Sequence, residues 1–302
     1  MHDPRLLLQP GTLRGALAER SRHALACGAM RPIQTVEETI ADAGVDFVVR
    51  RVASLARKQE DRERRSEGEP ANPFLPHEPD LFVADVSETH FALLNKFNVI
   101  EGHLLVVTRE FVHQETLLDA GDFAALAACM RAYESLGFYN GGIAAGASQA
   151  HKHLQLVPLP LAGTGTPLPI EALFAPMQAR SGIVRVPGLE FAHAFAWVEP
   201  AWFQDEAGVA PRLRAHYLEL MAAAGIESVR VQGEARQSAP YNLLLTRRWM
   251  LLVPRSKEHF GSISVNALGF AGSLFVRDEE QMELVRRAGP MAVLRGVSVG
   301  ET

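Results

Sequence analysis

Residues 140–158 read NGGIAAGASQAHKHLQLVP. A glycine-rich run leads into His151-Lys152-His153-Leu154-Gln155. In an extended strand, successive side chains alternate between faces. His151, His153 and Gln155 then share one face, and Lys152, Leu154 and Leu156 share the other. Two imidazoles and an amide therefore line up beside a loop rich in small residues. Such a loop can turn its backbone N–H groups toward phosphate oxygens, because small side chains allow close approach. A neutral imidazole is a good nucleophile near pH 7 and can attack phosphorus to form a covalent nucleotidyl-histidine. The competing reading is a strand whose histidines merely sit on a sheet surface.

GASQAHKHLQL resembles the active-site segment of the diadenosine tetraphosphate phosphorylases, or ATP adenylyltransferases, a branch of the histidine-triad superfamily. Three other stretches are similar to segments of that family, in the same order: His90 to Phe111 (HFALLNKFNVIEGHLLVVTREF), Tyr241 to Ser256 (YNLLLTRRWMLLVPRS) and Asn266 to Val276 (NALGFAGSLFV). The H-x-H-x-Q pattern alone is shared with galactose-1-phosphate uridylyltransferases, so the extra segments carry the specificity. The resemblance implies an α+β fold, a histidine-triad-like antiparallel sheet with flanking helices and a C-terminal extension. It places the nucleophile on His153, with His151 beside it and Gln155 where hydrolase branches carry a third His. The implied reaction is phosphorolysis of diadenosine tetraphosphate to ATP and ADP through adenylyl-His153. The alternatives are a hexose-1-phosphate uridylyltransferase and a non-catalytic nucleotide sensor on the same fold.

The implied substrate contacts are Lys58, Asn95, Lys96, Asn140, Gly146, Ala147, Ser148, Gln149, Asn266, Ala267, Leu268, Ser273 and Arg277. Two depart from the family pattern: Ser273 stands near a family Met, and Arg277 near a family Lys. Plainer readings exist for several. Lys58 is also readable as a surface lysine, Asn95-Lys96 as a turn, and residues 266–268 as a loop–helix junction. A polyphosphate needs cations. Further candidates are Arg247, Arg248, Arg255 and Lys257, whereas Lys152 points away if the strand is regular. Mg²⁺ is expected to arrive with the polyphosphate rather than in a protein cage. Zinc on His151 and His153 lacks a visible third ligand.

The chain has 302 residues, enough for two modest domains. The expected division is a catalytic region at 1–160, a linker at 161–185 and an ATP adenylyltransferase region at 186–302. Apolar residues make up 47%, which supplies ample core material. The net charge of −5 argues against a general nucleic-acid binder. No apolar run approaches the ~20 residues of a membrane span, and the N-terminal run is too short for a signal peptide. The expected location is cytoplasmic. Cys27 and Cys129 form no C-x-x-C, so the spacing indicates neither a disulfide framework nor a cysteine zinc site.

Local patterns predict helices at Gly11–Cys27, Asp119–Gly137, Pro211–Ala224 and Asp278–Ala288. Strands are expected at Asp46–Val52, Asp80–Val86, His90–Asn95, His103–Thr108 and Phe191–Val198, with a hairpin over Tyr241–Pro254. Thr35 and Glu38 have capping-box spacing. Arg57 to Glu69 is almost entirely charged and reads as a solvated loop. PLPLAGTGTPLP, from Pro158, has linker composition.

Overall fold

The computed structural model describes residues 5–52, 72–161, 167–178 and 180–301. Lys58 and the charged run Arg57–Glu69 lie outside the described residues. In chain order the strands are β1 (Thr35–Asp42), β2 (Val45–Val52), β3 (Phe82–Asp85), β4 (His90–Leu94), β5 (Leu104–Thr108), β6 (Ser135–Gly141), β7 (His153–Pro158) and β8 (Ala194–Trp197). They continue with β9 (Ser228–Val231), β10 (Glu234–Gln237), β11 (Tyr241–Leu245), β12 (Trp249–Pro254), β13 (His259–Phe260), β14 (Ile263–Ser264) and β15 (Ser273–Val276). Eight of these form one antiparallel sheet in the order β3-β4-β5-β7-β6-β11-β12-β8. Strands from both halves of the chain thus meet in one sheet, at the pairing of β6 with β11. A smaller sheet, β1-β2-β15, does the same, with β2 and β15 parallel.

Alternation along the strands builds two cores. Leu104, Val106, Leu154, Leu156, Leu243, Leu245, Met250 and Leu252 face the helices Leu13–Cys27, Ala120–Met130 and Val209–Ala223. Phe138, Val157, Leu244, Leu251 and Val253 face the other way, toward β2, β15 and the helices Glu279–Ala288 and Pro290–Val297. On that second face a separate small cluster, Phe74, Phe91, Leu93 and Val107, covers the β4–β5 end. The polar residues His103, Gln155, His153 and Asn140 fall between the two clusters, where the apolar cover is interrupted. Among the described residues no helix is long and apolar enough to cross a membrane.

Two expectations need correction. The helix predicted over Asp119–Gly137 ends at Met130, and Ser135–Gly141 is β6. Pairing on both sides, to β7 and to β11, overrides the helical spacing that Tyr133 and Leu136 continue. Gly137 is therefore a close-packing position in a strand rather than a helix cap: a Cβ there would lie 3.2 Å from the Leu126 methyls. The Thr35–Glu38 capping spacing is coincidental, since Thr35–Asp42 pairs along its whole length with β2. The capping box forms instead at Asp119 and Asp122.

Lys152 points to the helical face, as alternation requires. Its Nζ donates to Asp122 Oδ2 at 2.8 Å and to the Leu117 carbonyl at 3.0 Å. Asp122 Oδ1 accepts from His90 Nε2 at 3.0 Å. Burial alone would raise the Asp122 pKa, but Lys152 and His90 outweigh it and hold the carboxyl far below its ordinary value. The lysine and aspartate side chains are 3% and 2% exposed, so water does not screen the pair. Removing one partner of such a pair strands the other charge in the core. Asp122→Ala should therefore cost about 3–5 kcal/mol of stability, read as a lower urea midpoint. A loss under about 1 kcal/mol, the worth of a surface pair, would contradict this account.

Candidate active site

His153 begins β7 and is 4% exposed. Its Nδ1 lies 2.8 Å from the His151 carbonyl oxygen. A carbonyl only accepts, so Nδ1 carries the proton and the Nε2 lone pair is left open. No described residue hydrogen-bonds to Nε2. Burial pushes the His153 pKa down to about 4; the Nδ1 hydrogen bond opposes this, and the charge of His151 adds to it. The ring is therefore neutral at pH 7, as nucleophilic attack requires.

His151 lies just before β7, in an isolated bridge with His113. Its Nε2–H donates to the Thr108 carbonyl at 2.9 Å, with Thr108 Oγ1 also at 2.9 Å. Its Nδ1 accepts from Asn72 Nδ2 at 2.9 Å. Both ring nitrogens are occupied, so His151 cannot also attack phosphorus. Its carbonyl fixes the tautomer of His153 instead. Phe74 touches both rings, at centroid separations of 5.5 and 5.2 Å. Burial also lowers the His151 pKa, against hydrogen bonds from the ring to the Thr108 and Glu110 backbone.

The orientation of Gln155 follows from a chain of donors that starts at a backbone amide. Phe97 N–H donates to Asn95 Oδ1 at 3.1 Å. Asn95 must then offer Nδ2–H to His103 Nδ1, at 3.2 Å. His103 accordingly carries its proton on Nε2 and donates to Gln155 Oε1 at 2.9 Å. The Gln155 NH₂ remains as the donor for an incoming oxygen. His103 was not singled out from sequence. Alternation does carry the signal: Leu105 pairs with Gln155, which puts His103 on the same face.

Asn95 also makes the turn that its residue type suggests, so the plain and functional readings of that position coexist.

Asn140 lies two residues beyond the Phe138–Gln155 pair, where the β6–β7 ladder stops. Gln114, also missed in the sequence, spans the gap. Its Oε1 accepts from His153 N–H at 2.9 Å, and its Nε2 donates to the Asn140 carbonyl at 3.0 Å. The Asn140 side-chain oxygen accepts from Asn242 Nδ2 at 2.8 Å and from Ala267 N–H at 3.0 Å. Asn266 caps the following helical turn through Leu268 N–H, 3.0 Å away. The side chains of Ala267 and Leu268 are in the core, and both N–H groups are used internally. This run supports the loop rather than offering it donors.

Gly142 and Gly146 adopt positive φ, +97° and +86°. A Cβ on Gly146 would meet Asn266 Cβ at 2.9 Å, so the glycine lets the loop pack against the C-terminal half. The N–H groups of Gly142, Ala145, Gly146 and Ala147 bond within the loop. Those of Ser148, Gln149 and Ala150 have no partner among the described residues. Ala147 is buried, Ser148 exposed and Gln149 half-buried, and neither polar side chain has a partner there. The N–H groups of Ile143 and Ala144 likewise have no partner among the described residues, so the loop has unpaired donors at both ends, three of them next to His151.

Most candidate cations are already paired. Lys96 bonds Glu78 at 2.7 Å, and Arg277 bonds Asp278 at 2.8 Å. Arg247 and Arg248 pair with Glu134 and Glu171. They follow β11 by two residues or more, at the opposite end from Asn242. Arg255 is buried beneath Asn242, with donors to its Oδ1 and to the carbonyls of Val297, Lys257, Glu258 and Val265. Burial lowers its pKa to about 10, against the pull of Glu258. Ser273 is buried in β15, its hydroxyl accepting from Arg50. Lys257 is exposed and has no ion-pair partner among the described residues.

Residues 3–176 match the sequence model of the Ap4A phosphorylase N-terminal domain, and residues 187–300 that of the ATP adenylyltransferase C-terminal domain. The chain belongs to the Ap4A phosphorylase family. It is an enzyme of the ATP adenylyltransferase type. It is similar to protein APA1 of Saccharomyces cerevisiae, 27% identical over 304 residues, covering 90% of this chain and 88% of that one. Diadenosine tetraphosphate phosphorylase 2 of the same yeast is 28% identical over 261 residues, covering 76% of each. In fold the chain resembles the crystal structure of yeast Ap4A phosphorylase Apa2, with a TM-score of 0.80 and 22% identity. That match covers 98% of this chain and 100% of the other. The expected α+β architecture of the phosphorylase family is the one observed.

Two outcomes follow for this phosphorylase-family site. Because burial places the His153 pKa near 4, protonation disables it only well below the ordinary 6.5. The acid limb of kcat/KM should therefore lie below pH 6; a limb at 6.5 would contradict the buried, neutral ring. Gly146→Val forces a branched side chain into positive φ, a strain of about 1–3 kcal/mol. It should lower kcat/KM by more than Ser148→Ala does. Equal effects would show that the loop does not depend on Gly146.

Proposed function

We propose that this chain phosphorolyses diadenosine tetraphosphate in two displacements on His153. The His153 Nε2 lone pair attacks the phosphorus bearing one adenosine. The N–P bond forms as the P–O bond to the rest of the chain breaks, and ATP leaves. Inorganic phosphate then attacks the adenylyl-histidine, the P–N bond breaks, and ADP departs with the neutral imidazole restored. The observation that carries this reading is the fixed tautomer of His153, with Nδ1–H bound by the His151 carbonyl and Nε2 without a hydrogen-bond partner among the described residues. The Gln155 NH₂ and the N–H groups of Ser148, Gln149 and Ala150 are the donors for the phosphoryl oxygens. Such prepositioned donors stabilise charge as it builds in the transition state.

Gln155 cannot exchange protons near neutral pH, whereas a histidine there can serve as acid or base for water. The intermediate then waits for an acceptor that brings its own anionic oxygen. We assign a divalent cation, Mg²⁺, to the polyphosphate.

Enzyme quenched after reaction with substrate labelled at the phosphorus next to adenosine should carry acid-labile label. His153→Ala should lose that label and nearly all turnover. Turnover should require phosphate, and labelled phosphate should appear as the β-phosphate of ADP. Fast phosphate-independent release of AMP would make the chain a hydrolase. Label retained in His153→Ala but lost in His151→Ala would move the nucleophile.

A further inference from the structure

We propose that His23, Cys27 and Asp80 form a surface zinc site, separate from the nucleotide site. The donor atoms of the three side chains all lie within 4.8 Å of one another. His23 and Cys27 are four residues apart on the helix Leu13–Cys27, so they share a face. Asp80 comes from the short turn Pro79–Leu81, directly before β3. His23 Nε2 is already 2.7 Å from Asp80 Oδ1. Among the described residues the Cys27 thiol makes one hydrogen-bond contact, 3.7 Å to the Ala24 carbonyl.

The geometry suits a small tetrahedral cation. Zinc bonds of ~2.0–2.3 Å to nitrogen, oxygen and sulfur place adjacent donors roughly 3.3–3.7 Å apart. The three side chains are exposed, so their rotamers are free to adjust toward that spacing. The backbone is set by packing beneath: Ala24 and Leu81, each next to a donor or one turn from it, are buried in the same core. The donor set itself selects the metal. Thiolate with imidazole favours zinc, whereas Mg²⁺ prefers oxygen ligands alone. On binding, the thiol proton leaves to solvent, as does the imidazolium proton when His23 is charged. Three protein ligands leave the fourth position to water. The site lies on the helix Leu13–Cys27, which packs on the sheet face that carries Leu154 and Leu156, whereas His153 is on the opposite face. Its effect is to cross-link the first helix to the segment that enters edge strand β3.

The full chain, stripped with a chelator, is titrated with Zn²⁺ against a chromogenic competitor of micromolar affinity. One equivalent should bind. Cys27→Ser and His23→Ala should each weaken binding at least about tenfold, on the scale of losing a metal contact. A variant lacking both His151 and His153 should keep the equivalent. Co²⁺ in place of zinc should give a thiolate charge-transfer band that Cys27→Ser abolishes. Zinc should also raise the Tm of the wild type but not of Cys27→Ser. No bound equivalent, or one lost with His151 and His153 but retained in Cys27→Ser, would overturn the proposal.

Discussion

A lysine sits between the two histidines of the active strand, and its charge must go somewhere. Alternation sends Lys152 beneath the sheet, where only a counter-charge makes burial tolerable. Asp122 supplies it from the first turn of the helix Ala120–Met130, while also capping that helix. This fixes more than stability. Shifting β7 by one residue would turn His153 toward the helix and drive the ammonium into the site. Both changes are costly, so one ion pair holds the register on which the positions of His153 and Gln155 depend.

With the register set, hydrogen bonding decides where protons reside. Two backbone groups act as anchors. The Phe97 amide starts the sequence of donors that ends by turning the Gln155 NH₂ away from His103. The His151 carbonyl holds the proton of His153 on Nδ1 and so leaves the lone pair on Nε2. Neither result needs a charged neighbour. The site is therefore organised by neutral donors and acceptors, and burial keeps the imidazole in its reactive form.

The flanking strands 90–108 and the 241–254 hairpin were legible from short runs of leucine, β-branched and aromatic residues, and the catalytic strand from its alternation of polar and apolar residues. The face of Lys152 was legible for the same reason. The helix after Asp119 was overextended, since Tyr133 and Leu136 continue the helical spacing although β6 pairs on both sides. Local spacing cannot report pairing with β11, about a hundred residues away. Gln114 and His103 were missed because their work is tertiary. One bridges a gap where two strands diverge, and the other passes orientation from a turn to a neighbouring strand. Lys96 and Arg277 looked like free cations in the sequence; Glu78 and Asp278 occupy them in the structure.

The sharing of both sheets between the two halves of the chain has a consequence for biosynthesis. β6 needs β11, and Gly141 pairs with Tyr241. β2 waits still longer, for Ser273 to reach Val48. At translation rates of about 5–20 residues per second, the edge of β6 emerges roughly 5–20 seconds before its partner. During that interval the nascent chain presents an open, apolar strand edge, the kind that recruits wrong neighbours. Emergence of residues 241–276, rather than of the strand that carries His153, sets when His153 first finds its surroundings. Conditions that slow elongation past residue 141 therefore lengthen the exposure of the edge beside the active strand.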